Sequence, residues 1–330
     1  MDSRPLPRTP FSASVVGLGT WQLGADWGEV SEPDAMAVLE ASAEAGVTFY
    51  DTADVYGDGR SEQLVGRFVH AHPDAGFTVA TKIGRRMDQV PANYVEPHLR
   101  SWLDRSRTNL GVDTIDLVQL HCPPSEVIDD DATYDVLDRL VDEGVITAYG
   151  VSVETCAQAL SAIVRPGVAS VQIILNAFRM KPLDEVLPAA RAAGVGIVAR
   201  VPLASGLLTG KYDLDTTFAE DDHRTYNRDG SAFDVGETFS GVDYATGVEA
   251  AQEFSALVSS SGLDVTPAQA AIAWVWQQPG VSSVIPGARN VDQARANAAA
   301  GQVGELPAAF VDGVRDLYDR RLREQAHGRW

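Results

Sequence analysis

The sequence is poor in cysteine, in lysine and in positive charge. Cys122 and Cys156 are the two cysteines among 330 residues, too few for a disulfide framework and without zinc-ligand spacing. Lysine occurs three times, at Lys82, Lys181 and Lys211. Asp and Glu number 46 against 26 Lys and Arg, which gives a net charge of -20. A chain this acidic is not expected to bind nucleic acid or an anionic membrane surface.

Long apolar runs are also missing. No stretch approaches the roughly 20 apolar residues of a membrane span, and the N-terminal residues lack the apolar segment of a signal peptide. Together with the few cysteines, this predicts a cytoplasmic protein. Hydrophobic residues make up 45 % of the chain and charged residues 22 %, a balance that excludes a disordered or fibrous chain. No break in composition divides the sequence, so residues 1–330 are predicted to form a single domain.

Short apolar segments alternate with amphipathic helical segments along the chain. The predicted strands cover residues 13–19, 47–50, 77–83, 115–121, 145–151, 168–175, 195–201 and 281–285. They are short and largely apolar rather than alternating, as parallel strands covered on both faces require. Eight such βα units predict an α/β fold, a single (β/α)8 TIM barrel, with a long loop after the seventh strand and helices at the C-terminus. A doubly wound sheet is the alternative.

Two glycine-containing segments resemble phosphate-binding motifs without matching them. Gly17, Gly19 and Gly24 suggest a dinucleotide fingerprint, but its third glycine falls at Gln22. The GLLTGK segment at 206–211 is one residue too short for a P-loop and lacks the Ser or Thr after its lysine. Neither segment predicts a phosphate site of those two classes.

The barrel prediction directs attention to the carboxyl ends of the strands, where such enzymes carry their catalytic residues. Asp51 and Tyr56 follow the second predicted strand, Lys82 ends the third and His121 ends the fourth. Each has an ordinary alternative as a cap, a solvated ammonium or a hydrogen-bonded imidazole. Together they supply an acid, a cation, a carboxylate to hold that cation, and an orienting imidazole. A neighbouring ammonium shifts a phenol from its usual pKa of about 10 toward the working pH.

Six segments carry a resemblance to a known family. They are residues 17–21 (GLGTW), 49–57 (FYDTADVYG), 80–84 (ATKIG), 120–124 (LHCPP), 149–152 (YGVS) and 284–289 (VIPGAR). In this order they resemble the aldo-keto reductase superfamily over almost the whole chain. The resemblance implies a barrel that binds an extended nicotinamide dinucleotide without a metal. It also implies catalytic roles: Tyr56 as general acid, Lys82 and Asp51 as its tuning pair, and His121 as the residue that orients the substrate carbonyl.

The resemblance further implies a cofactor site. Ser152 and Gln172 match the positions that hold the carboxamide, although the family's Asn after that serine is Val153 here. Arg200 stands where the family often has an aromatic that stacks on the nicotinamide. A guanidinium can also stack, but its charge opposes an oxidised ring, so Arg200 is predicted to favour the reduced cofactor. The other implied cofactor contacts are Gly19, Thr20, Trp21, Asp51, Val201, Pro202, Leu203, Ser205, Gly206, Leu207, Lys211, Ile285, Gly287, Arg289, Gln293 and Asn297.

Two of these residues are expected to hold phosphates. Lys211 matches the pyrophosphate position. Arg289 is the main candidate for the adenosine 2'-phosphate, because Gly287, Ala288 and Gln293 replace the Lys-Ser pair and the Arg of many members. The expected cofactor is NADPH/NADP+, with NADH left open.

The substrate pocket is expected to include Trp21, Trp27, Tyr56 and His121. Residues 213–243 form a long polar stretch, and loops of this length are usually functional or disordered. Their place after the seventh strand predicts a lid, whose aromatics contribute to the pocket.

These residues predict an NADPH-dependent oxidoreductase that reduces an aldehyde, ketone or keto sugar to an alcohol by hydride transfer. One alternative is a specialised sugar dehydrogenase or keto-deoxysugar reductase. Another, from a different class, is a nicotinamide-sensing binding subunit like those attached to potassium channels. The sequence leaves the substrate, the direction of reaction and the oligomeric state open.

Overall fold

The computed structural model describes residues 1–24 and 30–330. Its main sheet has eight parallel strands in sequential order, β3 to β10. The strands are β1 Ser3–Pro5, β2 Ser12–Ser14, β3 Leu18–Gly19, β4 Phe49–Asp51, β5 Thr78–Ile83, β6 Ile115–His121, β7 Ile146–Ser152, β8 Val168–Ile174, β9 Gly196–Arg200 and β10 Val281–Val284. Gly17 N donates to the Val284 oxygen at 2.8 Å and Gly19 N to the Pro286 oxygen at 3.1 Å. These bonds join the first barrel strand to the last, so the predicted (β/α)8 barrel is confirmed.

Helices surround the sheet. They are α1 Glu32–Glu44, α2 Arg60–Ala71, α3 Glu96–Leu110, α4 Ser125–Ile128, α5 Asp131–Asp142, α6 Cys156–Ile163, α7 Val186–Ala193, α8 His223–Tyr226, α9 Tyr244–Ser260, α10 Pro267–Trp276, α11 Val291–Ala299, α12 Ala308–Arg321 and α13 Arg323–Ala326. Local sequence explains several boundaries. Thr155 and Gln158 form a capping box at the start of α6. Gly111 ends α3 with φ of 73°, a conformation that favours glycine.

The predicted strand at 13–19 is wrong as a single element. Its first part is β2, which pairs antiparallel with β1, whereas the later residues join the barrel: Val16 and Gly17 bond to Val284, and Leu18 and Gly19 pair with β4. The physical reason is packing at the closed end of the barrel. The hairpin brings Leu6, Phe11 and Ala13 against inward-facing barrel residues, several of which are small: Phe49, Ala80, Leu117, Ala148, Ala169, Val198 and Ile285. The hairpin therefore fills space that the small strand residues leave open.

The predicted lid, residues 213–243, contains α8 and two 3-10 turns, Val235–Glu237 and Phe239–Gly241. Asn176 at the end of β8 donates to the Val201 oxygen and to the Ser240 hydroxyl, both at 2.9 Å. The indole of Trp330 donates to Asp234 at 3.0 Å and lies over the Arg179 guanidinium at 4.2 Å. The lid is thus fastened to the barrel rim and to the end of the chain.

None of the helices in the described ranges is long and apolar enough to cross a membrane.

Candidate active site

The four residues expected to be catalytic meet at the carboxyl end of the barrel. Asp51 ends β4, Lys82 lies in β5, His121 ends β6, and Tyr56 begins the 3-10 turn Tyr56–Gly59. The Lys82 ammonium bonds to the Asp51 carboxylate and donates to the Thr52 carbonyl oxygen at 2.9 Å. It also donates to the Tyr56 hydroxyl at 3.4 Å. The phenol, the ammonium and the carboxylate therefore form one connected group.

Burial and neighbouring charges shift the pKa values of Lys82 and Tyr56 in opposite directions. Burial acts to lower the pKa of Lys82, but Asp51 and then Tyr56 outweigh it, so that pKa is raised. Burial raises the pKa of Tyr56, Lys82 acts to lower it, and the net direction is upward. The effect of the ammonium has the expected sign but is smaller than the effect of burial. The phenol is consequently protonated at neutral pH, the form that a proton donor requires.

The second oxygen of the Asp51 carboxylate is held by two buried amides. Gln172 Nε2 donates to it at 2.8 Å and Gln119 Nε2 at 3.2 Å. Because a carboxylate only accepts, the Gln172 amide oxygen is turned the other way, toward the Ser152 hydroxyl at 3.4 Å. Gln119 was missed by the sequence analysis. Its signal was a lone amide within the apolar strand IDLVQLH.

His121 presents a neutral imidazole beside the phenol. Its ring centroid lies 5.9 Å from that of Tyr56, edge to face. Burial, followed by the cations Arg85, Lys82 and Arg200, holds the pKa of His121 well below its usual range. Within residues 1–24 and 30–330, His121 Nδ1 has no hydrogen-bond partner.

One side of this site is aromatic. Trp21 stacks near Tyr56 with ring centroids 6.2 Å apart, and two lid rings, His223 and Phe233, lie 5.5 and 6.1 Å from Trp21. The structure thus brings Trp21, Tyr56 and His121 together, as the sequence analysis expects of a substrate pocket. The fourth predicted pocket residue, Trp27, lies outside the described residues.

Arg200 is held by two carboxylates. Its guanidinium bonds to the Glu237 carboxylate, to Glu154 at 3.0 Å and to the Val153 oxygen at 3.1 Å. Burial acts to lower the pKa of Arg200, but Glu237 and Glu154 outweigh it. These two carboxylates were not predicted from the sequence. They lie with the Cys122 thiol within 4.8 Å of one another, and Arg200 is the cation that bonds to both.

The segment after β9 has an unusual backbone. Val201, Ala204, Ser205 and Gly206 have φ of 56°, 47°, 55° and 98°, a left-handed conformation that is uncommon outside glycine. Successive amides in such turns point into a shared concavity, which suits an anion. The Ser205 hydroxyl is already used by the lid, since it donates to the Glu237 oxygen and accepts from Phe239 N, both at 3.0 Å. The remaining residues expected on this segment, Pro202, Leu203, Leu207 and the exposed Lys211, lie beside this turn.

The expected adenosine end lies where α11 begins. Gln293 Oε1 accepts from Arg289 N at 2.9 Å, and Asn297 Nδ2 donates to the Gly287 oxygen at 3.0 Å. Both amides therefore hold the backbone of the 287–289 turn. Arg289 lines a cavity of about 390 Å³ together with Asp34 and Asp292. The last expected contacts are Gly19, which bonds to Pro286, Thr20, which bonds to the Asp51 oxygen at 2.9 Å, and Ile285, which bonds to the Ala199 oxygen at 3.0 Å.

Sequence comparison identifies relatives over the whole barrel. The family model "Aldo/keto reductase family" matches residues 15–319. An uncharacterized oxidoreductase of Mycobacterium tuberculosis is 31% identical over 329 residues, covering 96% of this chain and 93% of the relative. The aldo-keto reductase yakc [NADP(+)] of Schizosaccharomyces pombe is 29% identical over 315 residues, covering 92% of this chain and 88% of the relative.

Structure comparison agrees. The glycerol dehydrogenase of Gluconobacter oxydans matches with a TM-score of 0.76 and 29% identity, covering 99% of this chain and 96% of that one. The closed barrel, the matched family model and these relatives lead to one conclusion. The chain belongs to the aldo/keto reductase family and is an NAD(P)H-dependent oxidoreductase.

Proposed function

We propose that this enzyme reduces the carbonyl group of an aldehyde, ketone or keto sugar to an alcohol, with NADPH as the reductant and Tyr56 as the proton donor. The observation that carries the proposal is the placement of the Tyr56 hydroxyl 3.4 Å from the Lys82 ammonium, which is itself bonded to Asp51. His121 and Trp21 lie on either side of this phenol.

The residues at the end of β7 and β8 fit a nicotinamide carboxamide. The Asp51 carboxylate orients the Gln172 amide so that its oxygen faces Ser152. An amide oxygen and a hydroxyl in this arrangement accept from and donate to a carboxamide. The left-handed turn after β9 fits a pyrophosphate, with Lys211 as its cation. When bound, the cofactor supplies the hydride that reaches the carbonyl carbon.

The protein's own part is to hold the carbonyl and deliver the proton. The neutral His121 orients the carbonyl oxygen toward Tyr56, which releases its proton to that oxygen as the negative charge develops. The phenolate that remains is stabilised by the Lys82 ammonium. Asp51 holds this ammonium in place and raises the pKa of Lys82, so that Lys82 stays charged although the pair is buried.

NADPH is proposed over NADH on the basis of Arg289 at the 287–289 turn. A guanidinium there provides a fork of donors for a 2'-phosphate. The NADP(+) designation of the S. pombe relative supports the same cofactor. Arg200 is proposed to disfavour the oxidised nicotinamide, although Glu154 and Glu237 offset part of its charge.

The name of the G. oxydans relative favours a second candidate, oxidation of a small polyol or sugar in the reverse direction. Both functions use the same four residues and differ in the direction of hydride transfer.

The proposal is tested by following NADPH absorbance with a panel of aldehydes, ketones and keto sugars, and by repeating the panel with NADH. Turnover of at least one carbonyl class, with NADPH preferred, is expected. Tight NADPH binding without turnover of any carbonyl or polyol would instead favour the sensing subunit.

A further inference from the structure

A second arginine lies near His121 with its donors largely uncommitted. Arg85 follows β5 directly after Gly84, and it lies close enough to the imidazole to contribute to the low pKa of His121. Its side chain is 27% exposed. Arg85 Nε is buried and has no hydrogen-bond partner in the described part of the chain. Its ion contact with Glu154, from Nη2 to Oε1, spans 3.7 Å, which is too long for a hydrogen bond.

The neighbouring cations differ from Arg85 in this respect. Lys82 is bonded to Asp51, and Arg200 is bonded to Glu154 and Glu237. The adjacent residue in the sequence, Arg86, donates to the Asp58 carboxylate at 2.6 Å. The Glu154 oxygen that bonds to Arg200 at 3.0 Å is also not the one that faces Arg85. Among the described residues, Arg85 is therefore a cation whose donors are only loosely paired, although the nearby Cys122, Glu237 and Glu154 outweigh burial and raise its pKa.

The backbone explains how Arg85 comes to this place. Gly84 has φ of 115°, and a Cβ there would lie 2.9 Å from the Tyr94 hydroxyl oxygen. Glycine is required by both the conformation and the close approach. The strand consequently ends in a sharp turn at the rim of the barrel, and Arg85 follows that turn three residues after Lys82.

We propose that Arg85 is a specificity-determining residue that binds a carboxylate of the carbonyl substrate. Resting on the function proposed above, this inference names the substrate class as a carbonyl compound that also bears an anionic oxygen group. A guanidinium offers parallel N–H donors that match a carboxylate, and such charge-assisted bonds are stronger than neutral ones. The bond replaces the loose contact with Glu154, while the aromatic side formed by Trp21, His223 and Phe233 takes the rest of the molecule.

The experiment measures kcat and KM for two matched pairs of aldehydes: 4-carboxybenzaldehyde with benzaldehyde, and succinic semialdehyde with butanal. The ratio of kcat/KM for the charged aldehyde to that for the neutral one reports the subsite. In Arg85→Gln this ratio is expected to fall roughly 10- to 100-fold for at least one pair, as the loss of a charge-assisted hydrogen bond predicts. The lower ratio is expected to come mainly from a higher KM for the charged aldehyde, and Arg85→Lys is expected to restore part of the ratio.

Arg86→Gln is the matched control, because it removes the same charge from the next residue. Its ratios are expected to equal those of the parent enzyme. The proposal is overturned if both ratios are unchanged in Arg85→Gln, or if Arg86→Gln lowers them equally. Effects on folding or on cofactor binding change both members of a pair alike and cancel in the ratio. Failure of the proposed function is seen separately, as absence of turnover by the parent enzyme of these four aldehydes and of every other carbonyl compound in the panel described above.

Discussion

Replacing Lys82 by methionine removes the cation that donates to the Tyr56 hydroxyl, and the structure predicts two separate losses. Unit charges 3.4 Å apart attract by about 5 kcal/mol at an effective dielectric of about 20, so the Tyr56 phenolate loses much of its stabilisation. General acid catalysis contributes roughly 10²- to 10⁴-fold, and kcat for carbonyl reduction is expected to fall within that range. The variant also leaves the buried Asp51 carboxylate without its counterion, which costs about 3–5 kcal/mol of folding free energy.

The second loss distinguishes this account from simple unfolding. The double variant Lys82→Met/Asp51→Asn removes both charges, so it is expected to be more stable than Lys82→Met and yet equally inactive. Thermal unfolding measures the stability of each protein, with a decrease of roughly 4–7 °C expected for the single variant. Loss of NADPH absorbance with a neutral aldehyde measures activity. Parental kcat in Lys82→Met, or recovery of activity in the double variant, refutes the reasoning.

Three further results are expected. Because burial and then neighbouring cations lower the pKa of His121, the imidazole is already neutral at pH 7, and kcat/KM should show no titration near pH 6.5; a step there that disappears in His121→Asn contradicts this. Arg200→Tyr should strengthen the binding of NADP+ relative to NADPH in a fluorescence titration, and equal changes for both forms count against the role of its charge. Trp330→Ala removes the indole that contacts Arg179 and Asp234, so limited proteolysis within residues 213–243 should become several-fold faster, as loss of a cation–π contact and a hydrogen bond predicts; parental cleavage argues against a clamp.

The barrel strands were predictable because each is a short, largely apolar run. Strands that are buried on both faces have few of the alternating polar residues that make other strands harder to recognise. The N-terminal hairpin was not. Its strand β1 has only three residues, of which Ser3 and Arg4 are polar and Pro5 is a proline. It forms because Leu6 and Phe11 enter the space that Ala80 and Ala148 leave inside the barrel. That space is a property of the closed sheet rather than of the residues near β1.

Some residues of the candidate site could likewise be predicted from the sequence, and others could not. Asp51, Tyr56, Lys82 and His121 were found because strand ends meet at one rim in a barrel, and their residue types suit proton transfer. Glu154 and Glu237 were missed because their role is to bind the Arg200 guanidinium, and Arg200 lies in β9, far from both in the sequence. A local sequence pattern does not predict ion pairs between residues that are far apart in the sequence.

Gln119 and Arg85 could not be predicted for a different reason. An amide inside an apolar strand and an arginine after a glycine are common, and neither has a motif. Their importance follows from what they contact or fail to contact: Asp51 for Gln119, and no hydrogen-bonding partner among the described residues for Arg85.

The proposed mechanism depends above all on the transfer of the Tyr56 proton to the carbonyl oxygen. Its most direct test is the single-turnover rate of aldehyde reduction by Tyr56→Phe, measured together with the dissociation constant for NADPH. The rate is expected to be lower by roughly 10²- to 10⁴-fold with an unchanged dissociation constant, because the ring remains and only the proton donor is lost. A Tyr56→Phe enzyme that keeps most of the parental rate would contradict the mechanism.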